Sequence, residues 1–178
     1  MGYSLRIGEA EIEYDEERVG IDCPLVRLDT APANGDPTDY ENQRWPSYSC
    51  WADAMRKLDL MDVMFGMRNG GSGTFEWNGV ERYPLLEEHP GVMPITREHV
   101  EYVEAKIAKY RKKHPEHIAQ YPPLKPDAKP VVDGCDLYAD DQYVDDPRCD
   151  TALVRGEWLA FWLRWAIENC KQPVFVNS

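Results

Sequence analysis

Apolar and polar positions alternate at the start of the chain and then change period. Tyr3, Leu5 and Ile7, followed by Ala10, Ile12 and Tyr14, occupy alternate positions around Gly8-Glu9. Successive strand side chains point to opposite faces, so this pattern predicts a β-hairpin with one buried side. Residues 21–28 predict a further strand, and residues 31–44, rich in Pro, Asn, Gly and Asp, a loop. From Tyr48 the spacing becomes three and four. Tyr48, Trp51, Ala52, Met55 and Leu58 form a helical stripe that should end near Asp59 or Leu60, with Ser47 or Ser49 placed to accept an orphan N–H at its start. Five glycines in residues 66–79 surround Thr74-Phe75-Glu76-Trp77, and Asn78-Gly79 is the pair that two-residue hairpin turns select, so a small ribbon is expected there.

The second half is helical at both ends. A helix is predicted from the Thr96 cap, behind Pro94, to His114, where Pro115 disfavours helical geometry in the residue before it. Its apolar stripe is Val100, Val103, Ile107 and Tyr110. Acidic side chains gather early (Glu98, Glu101, Glu104) and basic ones late (Lys106, Lys109, Arg111, Lys112, Lys113), as the helix dipole favours. Residues 120–150 contain five prolines and few apolar positions, which predicts an extended, irregular segment. The last helix, about residues 151–171, is apolar around most of its circumference (Trp158, Leu159, Phe161, Trp162, Leu163, Trp165, Ala166, Ile167) and polar along one narrow stripe (Glu157, Arg164, Glu168, Lys171). Such a helix belongs at the centre of a core, its tryptophans serving as packing. The expected fold class is α+β: one domain over residues 1–178, with a small antiparallel β-ribbon or sheet packed on about three helices, the C-terminal helix central in the core, and a Pro/Asp-rich loop at about 120–150.

Charge narrows the functional classes. The chain has 178 residues and a net charge of −12, with 20 Lys and Arg against 32 Asp and Glu. That balance repels phosphate backbones and excludes general nucleic-acid binding. No apolar run approaches bilayer length, and the start of the chain lacks the cationic and apolar segments of a signal peptide, so no membrane association is expected. Cys23, Cys50, Cys135, Cys149 and Cys170 are scattered, odd in number and free of any Cys-x-x-Cys pair, which fits free thiols in a reducing cytosol.

Three constellations bear on chemistry. The first is the run of seven aspartates between Asp133 and Asp150, opposed only by Arg148. It lacks the order of a calcium loop and reads either as a solvated acidic loop or as an ordered acidic surface that would dock on a basic face of a partner; Asp136, Asp140, Asp141, Asp145 and Asp146 are the candidate partner-binding residues. The second is a set of aromatic and basic residues, Arg44, Trp45, Trp51, Arg56 and Trp77, with Arg68 beside them, that could stack a base and hold a phosphate. The third is the histidines. His114-Pro-Glu-His117 places two imidazoles three apart, but Pro115 is expected to break the helix that would align them, and His99 reads as a core-edge residue. No nucleophile motif is present, Gly70-Gly71-Ser72-Gly73 lacks the Lys-Ser/Thr of a phosphate loop, and Pro123-Leu-Lys-Pro126 is a lone polyproline-type match better explained by loop stiffening. No catalytic residue, metal site or cofactor is therefore assigned from sequence.

The strings Trp45-Pro-Ser-Tyr-Ser-Cys-Trp-Ala-Asp53, His89-Pro-Gly-Val-Met-Pro-Ile-Thr96 and Phe161-Trp-Leu-Arg-Trp-Ala-Ile-Glu-Asn-Cys-Lys-Gln-Pro173 resemble segments of small uncharacterised proteins of tailed-bacteriophage genomes. The resemblance covers the chain from Trp45 onward and leaves out residues 1–44. It brings no known activity or catalytic residue; what it implies is context, a phage product in the cytoplasm of a bacterial host. The function expected is that of a phage accessory protein that binds a host or phage macromolecule, a protein partner above all, through its acidic surface without catalysis. Two alternatives stand beside it: sequestration of a small nucleotide-like ligand, and metal-assisted hydrolysis using the Asp-rich loop and a histidine.

Overall fold

The structure, a computed structural model, describes residues 4–13, 25–30, 43–44, 46–66, 73–86, 91–128 and 142–177. The elements in chain order are β1 (Leu5–Glu13), β2 (Leu25–Thr30), β3 (Gln43–Arg44), α1 (Tyr48–Lys57), α2 (Met61–Phe65), β4 (Phe75–Trp77), β5 (Val80–Arg82), β6 (Gly91–Pro94), α3 (Arg97–Lys113), α4 (Thr151–Asn169) and β7 (Pro173–Asn177). The architecture is α+β, with two small antiparallel sheets and four helices. The larger sheet has the order β2-β1-β7-β6, with β3 paired to the start of β1; β4 and β5 form a separate hairpin.

The expected hairpin around Gly8-Glu9 does not form: β1 runs straight through it. Gly8 pairs with Thr30 of β2 and with Val174 of β7, and both neighbours are antiparallel to β1. The alternation was a true strand signal, but the partners come from elsewhere in the chain, and pairing on both edges overrides a local turn. Tyr3 and Tyr14 lie outside the described residues. The strand expected over residues 21–28 is found at Leu25–Thr30.

Local chemistry sets the helix ends. Ser47 Oγ accepts the Cys50 N–H at 3.2 Å and caps α1, while Ser49 lies inside the first turn. After α1 the chain turns at Asp59, with φ of 60°, into the short helix α2, which the sequence did not announce. Gly66 closes α2 in the left-handed region, and a Cβ there would stand 2.7 Å from the backbone of Gly73, so both the dihedral and the close approach require glycine. In the β4–β5 hairpin, Asn78 and Gly79 take φ of 52° and 77°, both positive, as a type I′ turn demands. Phe75 and Trp77 of that hairpin meet the Tyr102 ring edge-on, with centroids 5.1 and 5.3 Å away, which seats the ribbon on α3.

α4 packs on α3, α1, β1 and β7. Trp158, Leu159, Trp162, Leu163 and Ala166 are fully buried, with Phe161, Trp165 and Ile167 at the core margin. Burial of each large aromatic contributes roughly 2–3 kcal/mol of transfer free energy. The foreseen polar stripe is the face that ion-pairs with α3: Arg111 bonds Glu157, and Arg164 bonds Glu104. Gly156 lets α4 come close to its neighbours, since a Cβ there would lie 2.5 Å from Leu58 Cδ1 and 3.4 Å from Ile107. No helix among the described residues is long and apolar enough to cross a membrane.

Candidate functional site

The densest polar arrangement among the described residues lies where the end of α1, the end of α3 and the start of α4 converge. Its centre is Asp150, 1% exposed, the N-cap of α4. Oδ1 accepts the backbone N–H groups of Ala152 at 3.0 Å and Leu153 at 3.3 Å, the ordinary work of a capping aspartate. Oδ2 accepts three further donors: the Tyr110 hydroxyl at 2.8 Å, His117 Nδ1 at 2.7 Å and Lys57 Nζ at 3.0 Å. Burial works to raise the Asp150 carboxyl, but the hydrogen bonds from Lys57, Tyr110, His117 and the Leu153 amide outweigh it and hold the group well below the usual carboxylate range. The same contacts raise Lys57 against the opposing effect of burial, and burial together with the bond to Asp150 raises the Tyr110 hydroxyl. The carboxylate thus stands within a fixed ring of donors that favours its charged form.

The histidines beside it reverse one expectation. α3 does end at Lys113 ahead of Pro115, yet the break brings His114 and His117 together instead of separating them. The chain turns back on itself, the His117 N–H reaching the His114 carbonyl at 3.2 Å, and the two imidazoles stack with centroids 4.8 Å apart. Glu116 lies between them: its Oε1 is 3.5 Å from His117 Nε2 and 3.9 Å from His114 Nδ1. A continuous helix was the wrong frame for these residues; the proline-directed turn is what assembles them.

His99, at the other end of α3, is 3% exposed and satisfied on both nitrogens. Nδ1 accepts the Thr96 N–H at 2.9 Å, closing the helix start, and Nε2 donates to the Tyr83 carbonyl at 2.8 Å. Burial lowers its pKa, and the Nδ1 lone pair that takes the Thr96 N–H belongs to the neutral ring. This is the core-edge role expected of it.

The aspartate run is described only in part. Asp136, Asp140 and Asp141 lie outside the described residues, as do Trp45, Arg68, His89, Cys23, Cys135 and the stretch Gly70-Gly71-Ser72. Asp145 is exposed, and Asp146 is held by Arg148 through Nε at 3.0 Å and a second nitrogen at 2.8 Å, a bond that lowers its carboxyl to about 2. The flanks of the run are tied down: Ile118 bridges Cys149, Leu124 bridges Tyr143, and the Val144 N–H reaches the Pro123 carbonyl at 2.8 Å. Pro123-Leu-Lys-Pro126 is therefore zipped to residues 142–144 and is not offered as a free polyproline ligand. Cys50, Cys149 and Cys170 form no disulfide among the described residues.

The stacking set is dispersed. Trp51 is in the core, edge-on to Trp158 at 6.0 Å, and presents no open ring face. Trp77 packs on Tyr102 and donates to Glu101 at 3.2 Å, while Arg56 pairs with Asp53 on the exposed side of α1 and Arg44 sits in β3. One groove of about 440 Å³ opens between Arg97, Glu101 and Glu104 of α3 and Arg164 and Glu168 of α4, and none of the four described candidates, Arg44, Trp51, Arg56 and Trp77, lines it.

The clearest element missed from sequence is Asp150 as a hub. An Asp directly before an apolar helix is an N-cap signature, and this one was read as the last member of an acidic run. No family model, curated protein or solved structure matches the chain.

Proposed function

We propose that this chain is a non-catalytic accessory protein that docks on a basic face of a protein partner, in the phage and host-cytoplasm setting that the sequence resemblance implies. One observation carries the reading. Four of the seven large apolar residues exposed among the described part of the chain, Ile118, Tyr121, Leu124 and Val144, belong to the two segments that zip together beside the aspartate run. Asp127 and Asp145 are exposed next to them. Apolar groups held open to water within a charged rim are the usual composition of a protein-binding patch, in which the apolar centre supplies affinity and the rim steers and selects. The buried Asp150 and the two bridges give this patch a fixed frame, so little ordering entropy is lost on docking.

The test is affinity capture from infected cells with the intact chain as bait, in parallel with two variants. Reversing charge at Asp140, Asp141, Asp145 and Asp146 should abolish recovery of the partner, and Leu124→Asp with Val144→Asp should do the same. Unchanged recovery with both variants would remove this face from the account. The nucleotide-like alternative draws no support from the placement of Trp51 and Trp77.

A further inference from the structure

We propose that the turn formed by His114, Glu116 and His117 binds one divalent transition-metal ion of the zinc class, with Asp150 positioning the His117 ring from behind. This goes beyond the docking role and does not depend on it.

The donor set is right in type and in number. Two imidazoles and one carboxylate are a borderline-soft set of the kind zinc takes, leaving a fourth position for solvent. The three ligand atoms lie within 4.8 Å of one another. In a tetrahedral site with bonds of about 2.0–2.1 Å, neighbouring ligand atoms stand about 3.3 Å apart. The His114 ring, stacked on His117 with centroids 4.8 Å apart, must turn for its lone pair to converge on the same ion, and the separations of 3.5 Å (His117 Nε2 to Glu116 Oε1) and 3.9 Å (His114 Nδ1 to Glu116 Oε1) need a contraction of a few tenths of an ångström. Glu116, 60% exposed, is free to make it, and the same exposure provides an entry path.

The second observation is the tautomer. His117 Nδ1 is 2.7 Å from Asp150 Oδ2, the oxygen that also lies 3.0 Å from the Lys57 ammonium, a group that can only donate, so Oδ2 is an acceptor and the proton of the bond sits on Nδ1. In the neutral ring the lone pair is then on Nε2, the atom that faces Glu116. A carboxylate fixing one imidazole nitrogen while the other points at a group of further donors is the arrangement that orients metal-binding histidines and raises their basicity. The Tyr110 ring, 4.6 Å from the His114 ring, supports the second imidazole from the side. His99 offers the contrast: with both nitrogens committed to Thr96 and Tyr83, it has no lone pair to give.

The experiment is calorimetric titration of the metal-stripped full chain with Zn²⁺ at neutral pH, repeated with Co²⁺ to read coordination from its visible absorption. The expected result is one equivalent of bound ion, a tetrahedral Co²⁺ spectrum and a rise in melting temperature on adding Zn²⁺. His114→Ala and Glu116→Gln change partly or fully exposed side chains, and each should weaken binding by about tenfold or more with an unchanged circular dichroism spectrum. Asp150→Asn should weaken binding about 10–100-fold and alter the Co²⁺ band, which a purely structural role of Asp150 would leave unmoved in the folded fraction. Absence of one-to-one binding in the intact chain would overturn the proposal. So would affinity that survives both His114→Ala and Glu116→Gln.

Discussion

The two ends of α3 each carry a histidine against a folded neighbour, and they use it in opposite ways. At the start, His99 has both nitrogens engaged and its ring sealed against Phe75, with centroids 5.2 Å apart. At the end, His117 has one nitrogen fixed by Asp150 and the other turned toward Glu116 and solvent. A histidine with no spare lone pair is a fastener. One with a spare lone pair, held by a charged partner, is a reagent. The difference comes from the groups arriving from distant segments, since the two residues are of one type, His99 in the first turn of α3 and His117 in the turn that follows its end.

The largest effect on this contrast is expected from Asp150→Ala. The change removes the α4 cap and leaves the Tyr110 hydroxyl and the His117 ring without their acceptor, while Lys57, 48% exposed, returns to solvent, so about 2–4 kcal/mol of stability should be lost, measured by urea unfolding. A loss below about 1 kcal/mol would mean that the polar cluster contributes only its capping bonds. The next effect is at the other end. His99→Leu should cost about 1–2 kcal/mol, because the Thr96 N–H and the Tyr83 carbonyl lose their partner. It should also change the pH dependence. Burial holds the folded His99 below its ordinary value of 6.5, against the pull of the Tyr83 carbonyl and Glu98, with Arg82 adding to the depression. The unfolded chain then binds the proton first, so the native state keeps its full stability above about pH 6.5 and loses it as pH falls toward the folded value. The intact chain should weaken more steeply than His99→Leu between pH 6.5 and 5, and parallel curves would contradict the assignment. The smallest effect belongs to the middle of the helix, where Arg164 and Glu104 meet in solvent. Glu104→Gln should change stability by less than about 0.5 kcal/mol, and less still at high salt.

The sequence was most informative where a signal and its structural consequence lie within a few residues of each other. Ser47 at the start of α1, the Asn78-Gly79 turn and Pro115 at the end of α3 each act on their own neighbours, and each could be read directly. The period of α4 announced an interior helix for the same reason. What could not be read depends on pairing across the chain. Alternation identified β1 as a strand but could not name β2 and β7 as its partners, so a hairpin stood in for them. β6 and β7 are four and five residues long and carry too short a pattern to register. The polar hub is the same case: Tyr110 and Asp150 are separated by 40 positions, and only the packing of α3 on α4 shows that they touch. Pro115 was read correctly as a break and wrongly as a separator, because a rule about helices says nothing of the turn that follows one.

The position of β7 has a consequence in time. Gln172 bonds Glu9 across 163 positions, and β7 lies between β1 and β6. On the ribosome, β1 therefore emerges with one edge unpaired and waits through the making of the four described helices before its neighbour exists. Until Pro173–Asn177 has been made, the β7 side of that strand stands open to pairing with another chain, a substrate for chaperones, and the sheet closes only after the four described helices have been synthesised.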